Sequence, residues 1–306
     1  MIWIIIGSVT FALICGILGF EYYVYRKVFY SPHKGQNSEY NITKMKGSED
    51  LVERATQLVN ELLTIPSEDL WTTSFDNLKL HAYFYRNKDS KEYVVYFHGY
   101  RRTARRSFAG RTMELINAKK NVILVDERAH GLSEGHTLTY GKKEQYDVLS
   151  WVDYLKKEFG EDIKITLIGI SMGATAILGV ADKLDKNIKI IADSPYISLK
   201  NVLKIALSKV YNNHFFGYPL IAFACLLYCR MSTKYEITEN IHNSKNKILI
   251  IYGTADHLVP YSVIEGVFLQ NKNHVTLEVF DGVGHGIGYN RAPERYLKVM
   301  FDFINN

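Results

Sequence analysis

The sequence predicts an α/β domain built on a mostly parallel central sheet with helices on both faces, preceded by an apolar N-terminal segment. Three observations predict it. Short β-branched runs recur from Tyr93 onward: YVVYF, NVILVD, ITLIGI, IKIIAD, ILIIYG and VTLEVF. Helical stretches separate most of them, near residues 103–118, 142–159, 172–184 and 263–270, and a last one covers 293–304. The runs are almost continuously apolar, as strands are when both faces of a sheet are covered.

The chain has 306 residues, 47% hydrophobic and 23% charged, enough for one large domain with its own core. Lys and Arg number 37 against 32 Asp and Glu, a net charge of +5. This mild excess suits an anionic surface and does not argue for nucleic acid. Zinc-finger spacing and RNA-binding aromatic motifs are absent from the sequence. Cys15, Cys225 and Cys229 are too few and too scattered for a disulfide framework. Cys225 and Cys229 can share a helix face, but no further ligand lies near them in sequence; apolar packing is the expectation and no metal or cofactor is called for.

Taken in order, residues 2–20 read IWIIIGSVTFALICGILGF without a charge. A membrane-spanning helix needs about 20 such residues. Trp3 stands at one end and Tyr22, Tyr23 and Tyr25 at the other, as in an aromatic belt. A cleaved signal peptide would want a basic start and a small-residue cleavage site. Residues 1–25 are therefore expected to be a single-pass cell-membrane anchor, with a buried core helix as the plain alternative. Arg26, Lys27 and Lys34 follow the span, which favours a cytoplasmic domain. Residues 26–67 are a linker and helix: 31–47 is polar, Ser48 can cap, Leu51, Val52, Ala55, Leu58, Val59, Leu62 and Leu63 fall at helical spacing, and Pro66 ends it. Residues 70–75 and 78–85, joined at Asp76-Asn77, predict a β-hairpin at the sheet edge. The main domain then runs over 68–306.

One connection is too long. About fifty residues separate Ala192 from Lys247, where a crossover needs far fewer. They contain FFGYPLIAFACLLYC, too short for a comfortable span and too apolar for a solvated helix. An inserted small helical cap at about 196–245, lying over the strand ends, is expected; a second membrane contact is the alternative.

The chemistry is predicted by Gly169-Ile170-Ser171-Met172-Gly173, a G-x-S-x-G between strand ITLI and helix MGATAILG. Such an elbow holds the serine in a strained turn, and side chains at 169 and 173 would collide with the packed chain. A serine hydroxyl needs a base, and the base needs an orienting acid. In this architecture they follow in the order Ser, acid, His. Asp256 lies in the loop after ILIIYG and His285 in the Gly-rich loop after VTLEVF. Both loops leave the same sheet edge as Ser171, where ligands bind in open α/β sheets. The oxyanion donors are expected to be the backbone N–H of Met172 and that of Tyr100, in the loop His98-Gly99-Tyr100.

At these residues the chain resembles the α/β-hydrolase superfamily, and most closely bacterial membrane-anchored serine hydrolases of the serine-aminopeptidase-like and carboxylesterase type. The resemblance covers about residues 70–306 and rests on FHGY, DERAHGLSEG, YGKKEQYDVLSWVDYL, GISMG, ADSPY, YGTADHLVP and GVGHG. It implies the α/β-hydrolase fold and a triad of Ser171, Asp256 and His285.

Arg101, Arg102, Arg105, Arg106 and Arg111 follow the oxyanion loop more densely than the resemblance leads one to expect. They are either a solvated helix start or, for Arg101 and Arg102, contacts to an anionic substrate group or lipid headgroup. His98 is expected to brace its loop, Asp126 and His130 to make structural hydrogen bonds, and Glu144 and Asp147 to be solvated or bracing charges. Asp193, which ends a strand, is the rival to Asp256. The expected function is cleavage of carboxylic esters through an acyl-enzyme on a small-molecule substrate. A serine peptidase would want an acid to hold the substrate's amine; a catalytically silent scaffold on the same fold would not need an intact triad.

Overall fold

The β-branched runs become strands of one eight-stranded sheet: β1 (Glu68–Thr73), β2 (Lys79–Tyr85), β3 (Glu92–Phe97), β4 (Asn121–Asp126), β5 (Lys164–Ile170), β6 (Lys189–Asp193), β7 (Ile248–Gly253) and β8 (Val275–Phe280). The computed structural model describes residues 1–32, 49–210 and 214–306. Strands lie in the order β1-β2-β4-β3-β5-β6-β7-β8, with the β1–β2 hairpin antiparallel at one edge, β2 antiparallel to β4, and the rest parallel. Asn77, at φ 66°, makes the expected tight turn.

Helices flank the sheet: α1 (Ile2–Val28), α2 (Glu49–Leu63), α3 (Ala104–Asn117), α4 (Glu144–Phe159), α5 (Met172–Leu178), α6 (Leu199–Val210), α7 (His214–Cys229), α8 (Thr238–His242), α9 (Tyr261–Gln270), α10 (Gly288–Arg291) and α11 (Pro293–Asn305). The period of two along β3 shows how both faces fill. Tyr93, Val95 and Phe97 join the core under α4 and α5, while Val94 and Tyr96 join the core under α3 and α11. On α4 the buried Val148, Trp151, Val152 and Leu155 repeat at helical spacing.

Three expectations need correction or placement. The helix predicted over 172–184 stops at Leu178 and gives way to a 3₁₀ turn at Ala181–Lys183. A Cβ on Gly179 would lie 2.2 Å from the Tyr235 hydroxyl, so the chain bends there where a neighbouring element crowds it. The 31–47 linker and the Ser48 cap fall mostly outside the described residues. The insert, expected over the strand ends, instead sends α7 along α1: Tyr228 packs against Tyr25 and Tyr22, with ring centroids 5.0 and 5.8 Å apart, and its hydroxyl donates to Leu18 O at 3.1 Å.

The apolar N-terminal helix meets the domain at its end. Residues 1–20 are exposed, but Phe29 is fully buried, and Val24, Tyr25 and Val28 pack on the core. Just beyond, Leu138 N–H donates to Phe29 O at 2.7 Å and Ser31 N–H to His136 O at 2.8 Å. The end of α1 is thus part of the domain wall.

Candidate active site

The end of β5 turns sharply into α5 at Ser171, whose backbone sits at φ 54°, ψ −110°. A non-glycine residue there costs about 1–3 kcal/mol, which the surrounding packing must hold. Two glycines allow it. A Cβ on Gly169 would lie 2.5 Å from Ala174 N, and one on Gly173 would lie 2.2 Å from Phe97 O at the end of β3. Neither neighbour is a flexible side chain, so the elbow closes only with glycine at both places.

Three loops then converge. His285 Nε2 lies 2.8 Å from Ser171 Oγ, and His285 Nδ1 lies 2.6 Å from Asp256 Oδ2. Asp256 Oδ1 accepts the N–H groups of Leu258 and Val259, at 2.8 and 3.1 Å. A carboxylate holding two backbone donors on one oxygen presents the other to the imidazole. That puts the ring proton on Nδ1 and leaves Nε2 to accept from the serine. Such a row can move the serine proton to the imidazole as Oγ attacks a carbonyl.

Two features that sequence reasoning missed support the histidine loop. A Cβ on Gly253 would lie 2.2 Å from Val283 O, so this glycine lets the Asp256 and His285 loops touch. Ser194 Oγ accepts Gly286 N–H at 2.9 Å. Its place in ADSPY, directly after β6, was the available signal.

The His98-Gly99-Tyr100 loop is moored to α1. The Tyr100 hydroxyl donates to Val28 O at 2.7 Å, and its ring stacks on Tyr140, whose hydroxyl donates to the same oxygen at 3.1 Å. Gly99 lies against the elbow: a Cβ there would be 3.5 Å from Ser171 Cβ. Met172 N–H opens α5, where helix geometry gives it no intrahelical acceptor.

The five arginines separate. Arg101 does not face the site, contrary to the expectation. Its Nη2 donates to Lys27 O and Tyr30 O at 2.9 and 3.0 Å, because the last carbonyls of a helix attract a cation. Arg105 donates to Ser67 Oγ and lies over the Tyr83 ring. Arg111 is buried, donates to the Tyr296 hydroxyl and stands 3.8 Å from Asp193. Arg102, Arg106 and Arg111 all line the cavity beside Ser171.

Asp193 is thereby taken up. Ser194 and Tyr296 donate to its two oxygens, and Arg111 faces it, well inside the sheet. Asp126 accepts from His81 and from Leu132 N–H. Glu144 accepts both the N–H and the hydroxyl of Thr139, and Asp147 pairs with Arg128 in a buried bridge. Cys225 and Cys229 are buried in the core under α7.

His98 and His130 form a brace below the Gly99-Tyr100 loop. His98 Nδ1–H donates to Gly99 O and its Nε2 accepts Glu127 N–H. His130 Nδ1–H donates to Arg128 O, and its Nε2 accepts Arg101 N–H at 3.1 Å. Burial pushes both imidazoles below their ordinary value, His130 further because His98 stands beside it. The unfolded chain therefore holds more protons on these residues. Their stability contribution is full above about pH 6.5 and is lost as pH falls toward the folded values. Calorimetry from about pH 7.5 to 5.5 should show a falling Tm, with a shallower fall in His130→Gln, which keeps the acceptor for Arg101 but cannot titrate; each unit of separation is worth about 1.4 kcal/mol. Equal slopes would remove His130 from this role.

A cavity of ≈ 280 Å³ opens beside Ser171 and His285. Its apolar wall is Leu51, Ala55 and Leu58 of α2, with Leu258 and Ile287 opposite. Among the described residues, none of 196–245 lines it. The roof is α2, whose i, i+4, i+7 apolar row was visible in the sequence without saying what it covers.

Residues 88–220 match the family described as serine aminopeptidase, S33. The chain is 26% identical over 285 residues to an uncharacterised Bacillus subtilis protein, YqkD, covering 86% of this chain and 88% of that one. It is similar in structure to the Pyrococcus furiosus esterase Pf2001, at 27% identity and a TM-score of 0.66, over 80% of this chain and 94% of the esterase. An esterase from Exiguobacterium antarcticum superposes over 77% of this chain and 99% of its own length, at 19% identity and a TM-score of 0.58, a likeness of fold.

Proposed function

We propose that this chain, an α/β-hydrolase, is a membrane-anchored serine hydrolase that cleaves carboxylic esters through an acyl-enzyme. The observation that carries the reading is the unbroken row Ser171 Oγ, His285, Asp256, with both hydrogen bonds short and the acid fixed by two backbone donors. His285 takes the proton of Ser171 as Oγ attacks, and Asp256 keeps the ring in the required tautomer. The N–H groups of Met172 and Tyr100 hold the oxyanion, a donor pair of which each member is worth about 3–4 kcal/mol. His285 then returns the proton to the leaving alcohol and activates water for deacylation.

The family description suggests a second reading, a peptidase acting at a free amino terminus. Such a site wants a carboxylate for the ammonium, yet no Asp or Glu lines the cavity among the described residues. Turnover of p-nitrophenyl esters set against aminoacyl anilides separates the two; faster anilide cleavage sinks the ester reading.

The anchor is α1, long and apolar enough to cross a membrane. Arg26 and Lys27 at its end favour a cytoplasmic domain. Beside it, α7 exposes Leu220, Phe223, Leu226 and Leu227, which at helical spacing form an outward apolar row that seats in the same lipid. Removing residues 1–19 is then expected to leave an active domain that still floats with vesicles through α7. Removing residues 1–31 takes away Val28 O, Lys27 O and Tyr30 O, on which Tyr100, Tyr140 and Arg101 are moored. Turnover should then fall about tenfold or more, because an oxyanion donor is misplaced. Equal kcat in the two truncations would show the mooring to be idle.

A further inference from the structure

We propose that Ser194 is a positioning residue for the reaction: with the Asp193 carbonyl it ties the histidine loop to the nucleophile elbow, so that His285 meets Ser171 within hydrogen-bond reach. This deepens the serine-hydrolase reading and rests on it. Two consecutive residues at the end of β6 reach the two halves of the site. Ser171 N–H donates to Asp193 O at 2.9 Å. Gly286 N–H, one residue past the base, donates to Ser194 Oγ, also at 2.9 Å. The bond of 2.8 Å between His285 Nε2 and Ser171 Oγ closes the ring. Asp256 takes no part in these ties; it holds the other nitrogen of the imidazole.

The Ser194 hydroxyl is set up to accept. It donates its single proton to Asp193 Oδ1 at 3.0 Å, which leaves only lone pairs for Gly286. Asp193 is itself held by the Tyr296 hydroxyl at 3.0 Å and faces Arg111, so the chain of bonds starts from a fixed carboxylate. Ser194 is buried, which keeps bulk water from competing for either bond. Its backbone stands at φ 52°, in the left-handed region that a non-glycine residue adopts only at a cost. Pro195 follows, and a residue before proline prefers extended backbone. Ser194 N–H donates to Ile251 O of β7 at 2.8 Å, which helps to hold the strained turn. A strained, buried serine whose hydroxyl grips the base loop marks a functional constraint, because glycine would relieve the strain and lose the grip. Gly286 fits closely on the other side: its φ is 64°, and a Cβ there would lie 3.0 Å from Ile170 Cγ2, beside the elbow.

Full-length protein in neutral detergent is compared with Ser194→Ala and Ser194→Gly. Alanine keeps the strain and glycine relieves it, while both delete the acceptor. Each should lose about tenfold or more in kcat for p-nitrophenyl butyrate, with KM within about twofold of wild type, because a reacting group displaced by about 1 Å costs on that order. The glycine variant should unfold at or above the Tm of the alanine variant and yet turn over no faster. A fall of less than about tenfold in either folded variant, or turnover that recovers with the Tm, overturns the assignment. Should both fail to fold, Ser194→Cys, which keeps the shape with a weaker acceptor, carries the same test. If wild type cleaves no ester but fluorophosphonate labels Ser171, the fall is read in the labelling rate. If it is not labelled either, the hydrolase reading fails by itself, and the downfield Nδ1 proton of His285, assigned by its loss in His285→Gln, decides the positioning role. A signal present in wild type and lost or shifted in both variants upholds it. An unchanged signal, or none in wild type, ends it.

Discussion

Replacing Ser171 with alanine is expected to lower kcat for ester hydrolysis by about 10⁴- to 10⁶-fold while the protein stays folded. The substitution deletes Oγ, the atom 2.8 Å from His285 Nε2, and nothing else in the elbow. The backbone at φ 54° is already strained, and alanine meets the same strain as serine. Ser171 N–H still donates to Asp193 O at 2.9 Å, so the turn keeps its tie to β6. Stability should therefore change by no more than about 1 kcal/mol, the net worth of the one part-buried hydrogen bond to His285 that is lost. A residual rate above water is expected from the oxyanion donors and binding alone. Fluorophosphonate labelling of wild type that vanishes in Ser171→Ala, at unchanged Tm, is the supporting result. Labelling that persists in the alanine variant would place the nucleophile on another residue and end the serine assignment.

The second large effect is a divided one, between two aspartates that each follow a strand. Asp256→Asn should lower kcat by about 10⁴-fold with little change in Tm. The asparagine oxygen keeps the bonds to Leu258 and Val259 N–H, which turns its NH₂ toward His285 Nδ1. A donor facing that nitrogen drives the ring proton to Nε2, where it can no longer accept from Ser171. Asp193→Asn should do the reverse. It removes the charge facing Arg111, which is buried with it, at a cost of about 3–5 kcal/mol. The Tm should drop by several degrees or more while kcat of the folded fraction stays within about tenfold of wild type. Thermal unfolding and active-site titration on the same preparations separate the two quantities. If Asp193→Asn stops turnover in folded protein and Asp256→Asn does not, the acid has been assigned to the wrong loop.

Much of the fold was legible because its causes are local. Period-two burial along YVVYF and 3.6-residue burial along α4 follow from backbone geometry alone, and β-branched runs between helical stretches leave few arrangements besides a mostly parallel sheet. The elbow was legible for the same reason: glycine at 169 and 173 records a steric demand in the chain's own turn. The order of the Ser171, Asp256 and His285 loops could be read because parallel strands deliver successive loops to one edge.

The arginines show the limit. Five of them stand within Arg101–Arg111, and composition treats them alike. Arg101 is held by Lys27 and Tyr30, Arg105 by Ser67 and Tyr83, and Arg111 by Tyr296 and Asp193, all far away in sequence. The spacing of four between Arg102 and Arg106 was a usable hint that these two face one way. The cavity roof was hidden likewise: the apolar row of α2 and the apolar run of α7 look equally fit to cover a site, and only packing sends α2 to the cavity and α7 to α1.

By itself, then, the amino-acid order determined the strands, the helices, the strained serine turn and the edge of the sheet where the loops gather, since each depends on neighbours a few positions away. Tertiary structure alone decided which charges reach the cavity, which helix closes it, and that the end of the apolar N-terminal helix holds the Tyr100 loop. Those outcomes depend on contacts across as many as 210 residues, as between Leu18 and Tyr228, where the geometry of packed surfaces rather than local propensity selects the partner.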